Sequence, residues 1–382
     1  MSVTTDKSSK TDAQSIVVVG AGGNTGSHLV PHLGRMRGVE RVTLIDPDVY
    51  EEANLLTQDI TPSDVGRRKA FVQRGRLKRI NPRLRVKAIA ERVERVPLGL
   101  LRADVILACL DSRRSRAYVN QAAWRLGVPW IDTGVEASGL LARVNVYVPT
   151  AECACLECGW DEQDYRILEQ AYPCQGFSEQ TFSTNAPSSL GALAASLQAI
   201  ECAKILSGTL EQAAIGQQVL IGAANHKHYV TNYRRNPDCR FHDHETWSIK
   251  RLRERPGELT VRRAIELGKS VEGAGGPRGL RVEGNPFVRR LTCVGCGRTR
   301  GLLRLQGRLR ASDERCVRCN RRMVASGRDL SERLEMATLP EKVLARSLHS
   351  LGFQAGDILS VGNRAAELHF EIDVEEIDVE RM

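Results

Sequence analysis

Residues 15–19 form an apolar, mostly β-branched run that stops at Gly20, and Gly22, Gly23 and Gly26 follow before residues 27–36 take up helical spacing. That pattern predicts a strand, a glycine turn and a helix. Two further apolar runs, 41–45 and 104–110, close on Asp46 and Asp111 and are bounded like buried parallel strands. Between them, residues 64–80 have helical composition and end at Asn81-Pro82, where proline disfavours helix in the residue before it. Residues 128–131, 142–148 and 218–221 supply further strands, the second alternating as an antiparallel edge does. Over 190–207, Leu190, Leu193, Ala194, Leu197, Ile200 and Ile205 fall mainly on one side of a helix. The alternation of strand and helix predicts an α/β domain with a Rossmann-like mixed, mainly parallel sheet and helices on both faces.

Near 242–247 the pattern weakens and arginine and glycine rise. The expected organisation is a flexible start over 1–13, the α/β domain over 14–245 and a small α+β module over 246–382, with 273–279 a turn-rich patch inside it. A chain of 382 residues exceeds what one core usually serves. Residues 368–372 alternate like a strand, and the acidic stretch 373–380 is expected to fray.

Composition narrows the classes. Hydrophobic residues at 42% and charged ones at 26% are globular usage, which excludes a wholly disordered or fibrous chain. With no uninterrupted apolar run of about 18 residues and a polar start, a cytoplasmic protein without a membrane span is expected. The net charge of +9 cannot choose among nucleic acid, a membrane surface and an acidic protein. The basic stretch from Arg67 to Lys87 lacks the aromatics that single-strand binders interleave and reads mostly as a solvated helix face. The arginine-rich stretch 250–310 leaves nucleic-acid binding as a minor reading only.

A glycine turn between strand and helix lets backbone N–H groups approach phosphate, so Gly20, Gly22, Gly23 and Gly26 are candidate nucleotide contacts. Asp46, 20 residues beyond Gly26, is placed to accept hydrogen bonds from a ribose. A nicotinamide-dependent oxidoreductase would use the same half-motif, so downstream residues must discriminate.

Those residues recur in one order: Gly20-Ala-Gly-Gly, Ile45-Asp46-Pro-Asp48, Asn54-Leu55 with Gln58, Asp64-Val-Gly66 with Lys69-Ala70, Asn81-Pro82, and residues 104–111 ending in Asp111, with Arg116 and Asn120. The set resembles the ThiF-type family, which includes sulfur-carrier adenylyltransferases and ubiquitin-activating enzymes. The resemblance implies ATP as cosubstrate, Asp46 on the ribose, Asn54 and Lys69 on the phosphates, and Asp111 holding Mg²⁺. Cations there make physical sense, because a carboxylate attacking an α-phosphate meets like charge. Two departures stand out. Asn24 and Thr25 lengthen the glycine loop, and Thr57 stands where the family commonly has an arginine, leaving Arg67, Arg68, Arg116 or a second subunit to supply that charge.

Eleven cysteines add further chemistry. Cys155-x-x-Cys158 and Cys239-x-x-His242 are two chelating hooks, and Cys₃His is an accepted structural zinc set; His244 and Cys153 compete for a ligand position. In the resembled family a cysteine pair at each place grips zinc. Cys293-x-x-Cys296 and Cys316-x-x-Cys319, 19 residues apart, have zinc-ribbon spacing, with Gly297 and Asn320 suited to tight knuckles, within a ribbon of about 286–325. Two structural zinc ions are therefore expected. Cys109 and Cys202 read as core residues. Cys174 lies where thioester-forming members of the resembled family often carry their cysteine and is the candidate nucleophile.

The expected function is adenylation of the C-terminal carboxylate of a ubiquitin-like or sulfur-carrier protein, with Lys69, Asp111 and Cys174 carrying the chemistry, followed by thioester formation and transfer to a conjugating enzyme. The resemblance implies a homodimer; no membrane or nucleic-acid partner is expected. A non-catalytic adaptor that retains the fold is the reading from another class, and Thr57 is its support.

Overall fold

The computed structural model describes residues 13–169, 186–241, 244–271, 277–363 and 365–373. The chain divides into two compact units, Met1–Val93 with Leu101–Thr246, and Glu94–Leu100 with Trp247–Met382. The short stretch Glu94–Leu100, sequence-adjacent to the first unit on both sides, thus belongs to the second, which no periodicity announced.

The first unit is built on an eight-stranded sheet. In chain order its elements are β1 (Gln14–Val19), α1 (Asn24–Leu33), β2 (Val39–Ile45), α2 (Lys69–Ile80), β3 (Arg85–Ile89), β4 (Val105–Ala108), α3 (Arg113–Leu126), β5 (Trp130–Glu136), β6 (Leu141–Tyr147), α4 (Glu162–Glu169), α5 (Ser188–Leu206), β7 (Gln217–Gly222) and β8 (Lys227–Asn232). The strand order is β3-β2-β1-β4-β5-β6-β7-β8. The first five are parallel and the last three antiparallel. Order reverses between β1 and β4, so the crevice beyond their carboxyl ends is the place where open α/β sheets bind ligands. Ile16, Val18, Leu44, Val105, Leu107 and Ile131 carry the core from the strands, and Leu29, Val30, Leu33 and Ala195 meet them from the helices.

Several expected boundaries move for identifiable reasons. The helix expected over 64–80 begins at Lys69, because Gly66 takes φ +82° and residues Pro62–Asp64 form a separate 3₁₀ turn. The basic stretch read as a solvated helix face ends in a strand: Arg85 and Lys87 lie on β3, paired with β2. The eighth strand, β8, is exposed at every residue and had no apolar alternation to betray it. α5 is long and apolar enough by composition to cross a membrane, yet Leu190, Ala194, Ala195 and Cys202 are buried on it and Glu201 caps the Ala214 N–H at 2.8 Å, as suits a core helix.

Close approach explains two glycines. A Cβ on Gly26 would collide with the Gly20 carbonyl oxygen, and one on Gly191 with the Asn24 amide, so α1 could seat against neither the turn nor α5. Gly26→Ala is expected to lower unfolding stability by roughly 1–3 kcal/mol, measured by urea denaturation; an unchanged midpoint would contradict that packing.

The second unit contains β9 (Ile249–Arg251), α6 (Val261–Glu266), β10 (Gly279–Arg281), β11 (Phe287–Cys293), β12 (Thr299–Leu305), β13 (Met323–Val324), β14 (Leu330–Ser331), β15 (Leu334–Glu335), α7 (Glu341–Leu344), β16 (Ile358–Gly362) and β17 (Glu367–Glu371). One sheet runs β15-β10-β16-β17-β9; a second joins β12, β11 and β13, with β14 also on β11. Phe287, Leu305, Leu348, Phe353, Leu359 and Ile372 share its main core.

Candidate active site and metal centres

β1 ends at Gly20, whose φ of +80° and lack of a side chain let it lie against the Cys109 carbonyl beyond β4. α1 starts directly after the turn, with Gly23 at its cap and no side chain closing its first N–H groups. The open helix start gives an anion backbone donors and a positive end. Asn24 and Thr25, which lengthen the loop, are the first two residues of this helix; Asn24 Nδ2 donates to the Ala186 carbonyl at 2.9 Å.

Asp46, at the end of β2, is 3% exposed. Its Oδ2 accepts from the Gly22 N–H at 2.8 Å and its Oδ1 from the Asp48 N–H at 3.0 Å, so one carboxylate braces the glycine turn and its own loop. Burial raises its pKa to about 6, with the Lys69 charge and the two N–H donors opposing. An acid whose folded-state pKa lies above its unfolded value favours the fold most at low pH, and that contribution is lost as pH rises through 6. The ionised form is the stronger acceptor for a ribose hydroxyl, so nucleotide affinity is expected to fall by up to about tenfold between pH 7 and pH 5, and Asp46→Asn to flatten the profile. Calorimetric titration with a non-hydrolysable ATP analogue reads both; a flat wild-type profile would contradict the assignment.

Lys69, the first residue of α2, is buried against Gly22, where a Cβ on the glycine would strike its stem. Its Nζ lies 3.6 Å from Asp48 Oδ2 and 5.5 Å from the centre of the Tyr50 ring, whose hydroxyl takes the Gln73 amide at 2.7 Å. Asp48, Tyr50 and Gln73 are site residues that sequence reasoning did not single out; Asp48 alone had a signal, in Ile45-Asp46-Pro-Asp48. Asn54 sits on a 3₁₀ turn, Glu52–Leu56, and its Oδ1 accepts from the Glu51 N–H at 2.9 Å, which is a cap. Its amide nitrogen has no bond among the described residues. Asp111, beyond β4, is exposed and its carboxylate makes no hydrogen bond or ion pair among the described residues, leaving both oxygens available to a cation.

The arginines expected to stand in for the charge missing at Thr57 are all engaged. Arg67 pairs with Asp64, and Arg68 donates to the Pro47 carbonyl at 2.9 Å. Arg116 is held by Asp132 at 2.8 Å and by the Leu110 and Thr133 carbonyls, and Asp132 is fully buried with Arg143 on its other oxygen at 3.2 Å. Arg116 therefore fastens β4 to β5.

The first metal set is Cys155, Cys158, Cys239 and His244, whose ligand atoms all lie within 4.8 Å of one another. Cys155 and Cys239 sulfurs are 3.8 Å apart, and His244 Nε2 is 3.4 Å from Cys158 Sγ. Among the described residues the fourth position is taken by His244; the expected ligand His242 lies outside them. His244 adopts φ +40°, and its ring is fixed edge-on to Trp124 at 5.0 Å and beside Phe241. Asn120 ties the hook to α3, accepting from the Leu156 N–H at 3.1 Å and donating to Glu157. Three thiols and an imidazole in an apolar pocket fit Zn²⁺ in donor type and number.

In the second unit Cys293, Cys296, Cys316 and Cys319 converge in the same way, with 3.4 Å between Cys293 and Cys319 sulfurs and 3.7 Å between Cys296 and Cys316. Gly297 and Asn320 take φ of +68° and +55°, and their N–H groups bond to the Cys293 and Cys316 carbonyls, as the expected knuckles require. Four sulfurs would fill a tetrahedral shell and leave no position for substrate.

Cys109 and Cys202 are closed to nucleophilic work: burial pushes each thiol up to about 12. Cys174 lies outside the described residues.

Comparison with known proteins gives one family and two kinds of relative. The model described as the ThiF family matches residues 1–241. The sulfur carrier protein adenylyltransferase of Thermus thermophilus is 33% identical over 229 residues, 59% of this chain and 80% of that protein. The sulfur carrier protein ThiS adenylyltransferase of Escherichia coli is 29% identical over 50% of this chain and 72% of its own length. The ubiquitin-like modifier-activating enzyme 5 of Oryza sativa subsp. japonica is 32% identical over 38% of this chain, which spans only 37% of that relative. The crystal structure of E. coli MccB with ATP superposes with a TM-score of 0.47 and 24% identity, covering 60% of this chain and 66% of the other.

Proposed function

The chain belongs to the ThiF family, and on that premise we propose that it uses ATP to activate the C-terminal carboxylate of a ubiquitin-like or sulfur-carrier protein. The observation that carries the reading is the gathering, at the carboxyl ends of β1, β2 and β4, of an uncapped helix start, the buried acceptor Asp46, the cation Lys69 and the free carboxylate Asp111. The carboxylate oxygen of the partner attacks the α-phosphorus, a C(O)–O–P bond forms, the bond to the β-phosphate breaks, and pyrophosphate leaves. Mg²⁺, which Asp111 would hold, would supply charge neutralisation at the phosphates. Asp46 fixes the ribose, the α1 N-terminus and Lys69 receive phosphate oxygens, and Asn54 turns its free amide nitrogen to them. With Arg67, Arg68 and Arg116 engaged, a second copy of the chain supplies the charge that Thr57 lacks.

Thioester formation on Cys174 follows in this reading: its sulfur attacks the acyl carbon and AMP departs, after which a conjugating enzyme accepts the acyl group. The engaged arginines also favour a second reading, an adaptor that keeps the fold and adenylates nothing. Labelled pyrophosphate should enter ATP when the protein is mixed with a glycine-tailed small protein encoded beside it. No exchange with any such partner would sink activation in favour of the adaptor. A gel-stable, thiol-sensitive adduct lost in Cys174→Ala tests the thioester separately; an adduct that survives the substitution contradicts it.

A further inference from the structure

α1 and α5 meet at their starts. Asn24, the first residue of α1, donates to the Ala186 carbonyl at 2.9 Å, and its amide lies against Gly191. One turn further along α1, His28 Nε2 is 2.9 Å from the hydroxyl of Ser188, the first residue of α5. The other ring nitrogen, Nδ1, is 3.9 Å from Asp59 Oδ2. That gap is too long for a hydrogen bond, yet close enough for the carboxylate to stabilise a proton gained by the ring. Asp59 is itself fixed: its N–H donates to Ser27 Oγ at 3.0 Å, and Arg76 binds both its carbonyl and its carboxylate. The adenylation chemistry proposed above uses none of these groups.

A hydroxyl, an imidazole and a carboxylate in that order are the parts of a base-activated nucleophile. Burial lowers the His28 pKa from 6.5; Asp59 opposes the shift, and Arg76 and His32 add to it, so the ring is neutral at pH 7 and able to take a proton. Ser188 is half-buried at the open start of a 19-residue helix whose cap carries no side-chain hydrogen bond. The N–H groups of Ser188 and Ser189 have no acceptor among the described residues, and a nucleophile's own N–H and its successor's are common oxyanion donors. A serine placed only to satisfy the imidazole would need neither the carboxylate nor the open helix start.

We propose that Ser188 is an acyl acceptor, with His28 as its general base and Asp59 steadying the imidazolium. The step rests on the adenylate of the activation reading. Ser188 Oγ attacks the acyl carbon and an ester C–O bond forms; the bond from that carbon to the phosphate oxygen breaks, and AMP leaves. His28 Nε2 takes the hydroxyl proton. Position permits the attack: His28 is four residues, about 6 Å, along α1 from the start assigned to the phosphates, and helical side chains lean toward the N-terminus. Unlike a thioester on Cys174, the product is an oxyester and resists thiols.

A fluorophosphonate–rhodamine probe, which phosphonylates activated serines and needs neither ATP nor a partner, tests the pair on the full chain. Peptide mapping should find the label on Ser188, and Ser188→Ala should lose it. His28→Gln, which keeps a hydrogen-bonding group beside Ser188 but cannot take its proton, should slow labelling about 10²-fold, with the wild-type thermal midpoint and zinc content as the check on folding. Labelling by the wild type should fall as pH drops through a midpoint below 6.5, where His28 gains a proton, and Asp59→Asn should move that midpoint lower still. With ATP, Mg²⁺ and a carrier protein that supports pyrophosphate exchange, an adduct on Ser188 should form that resists dithiothreitol and is cleaved by mild alkali. The proposal is overturned if the wild type is not labelled, if the label maps to another residue, or if His28→Gln labels at the wild-type rate. It is also overturned if exchange proceeds and no thiol-resistant adduct forms. Absent exchange would instead remove the adenylate as acyl donor, a failure of the activation reading, while the probe alone would still decide whether Ser188 is a nucleophile.

Discussion

Lys69→Ala should slow ATP–pyrophosphate exchange by about 10²–10³-fold, the usual cost of removing one preorganised charge from a developing oxyanion. Saturating ATP should not restore the rate, because the charge acts where negative charge builds up in the transition state rather than on the bound substrate. Folding should survive, since the partner lost is the 64% exposed Asp48 carboxylate, and a pair with one exposed member contributes little. Gly22→Ala should reproduce much of the defect without touching a charge: the added methyl meets the Lys69 stem and displaces the amine. Lys69→Arg should rescue only in part, because a planar, forked guanidinium does not reproduce a compact ammonium charge. Normal exchange in Lys69→Ala, measured with a partner that supports exchange by the wild type, would remove the cation from the mechanism.

The contrast between Lys69 and Arg116 shows what the sequence could and could not say. Both are cations that belong to the motif order that pointed to a phosphate site. Lys69 starts the helix that the sequence predicts over 64–80, so its element was legible even though the glycine it lies against, Gly22, is far away in the chain. Arg116 is committed by Asp132 and the Thr133 carbonyl, long-range partners on the next parallel strand that no local periodicity reports. The same limit hid the inclusion of Glu94–Leu100 in the second unit and the strand β8, exposed at every residue, which pairs with β7 through its backbone. The central parallel strands β1 and β4, by contrast, are buried on both sides over Ile16–Val19 and Val105–Ala108 and are written as unbroken apolar runs. The cysteine knuckles were legible for a similar reason: their geometry is fixed within four residues, and Gly297 and Asn320 are the residue types that tolerate the positive φ that follows.

His244→Ala should take bound zinc from two equivalents per chain to one, whereas His242→Ala should leave two; metal analysis of the purified variants reads the difference. The apparent free energy of a structural zinc site is on the order of 10 kcal/mol, so the loss should dominate any packing change at the imidazole. Cys155, Cys158 and Cys239 are 1%, 8% and 2% exposed, and without a cation their thiolates would be buried unpaired among Trp124 and Phe241. They must then protonate or the hook must open, and the thermal midpoint of the first unit should fall by more than about 10 °C. Because Asn120 links that hook to α3, whose start follows Asp111, pyrophosphate exchange should fall along with it. Cys316→Ser should remove the other zinc equivalent and loosen the ribbon while the first unit's midpoint holds, since the four ribbon sulfurs have their own core in Val288, Leu291 and Met323. Zinc lost from His242→Ala and kept in His244→Ala would reverse the ligand assignment.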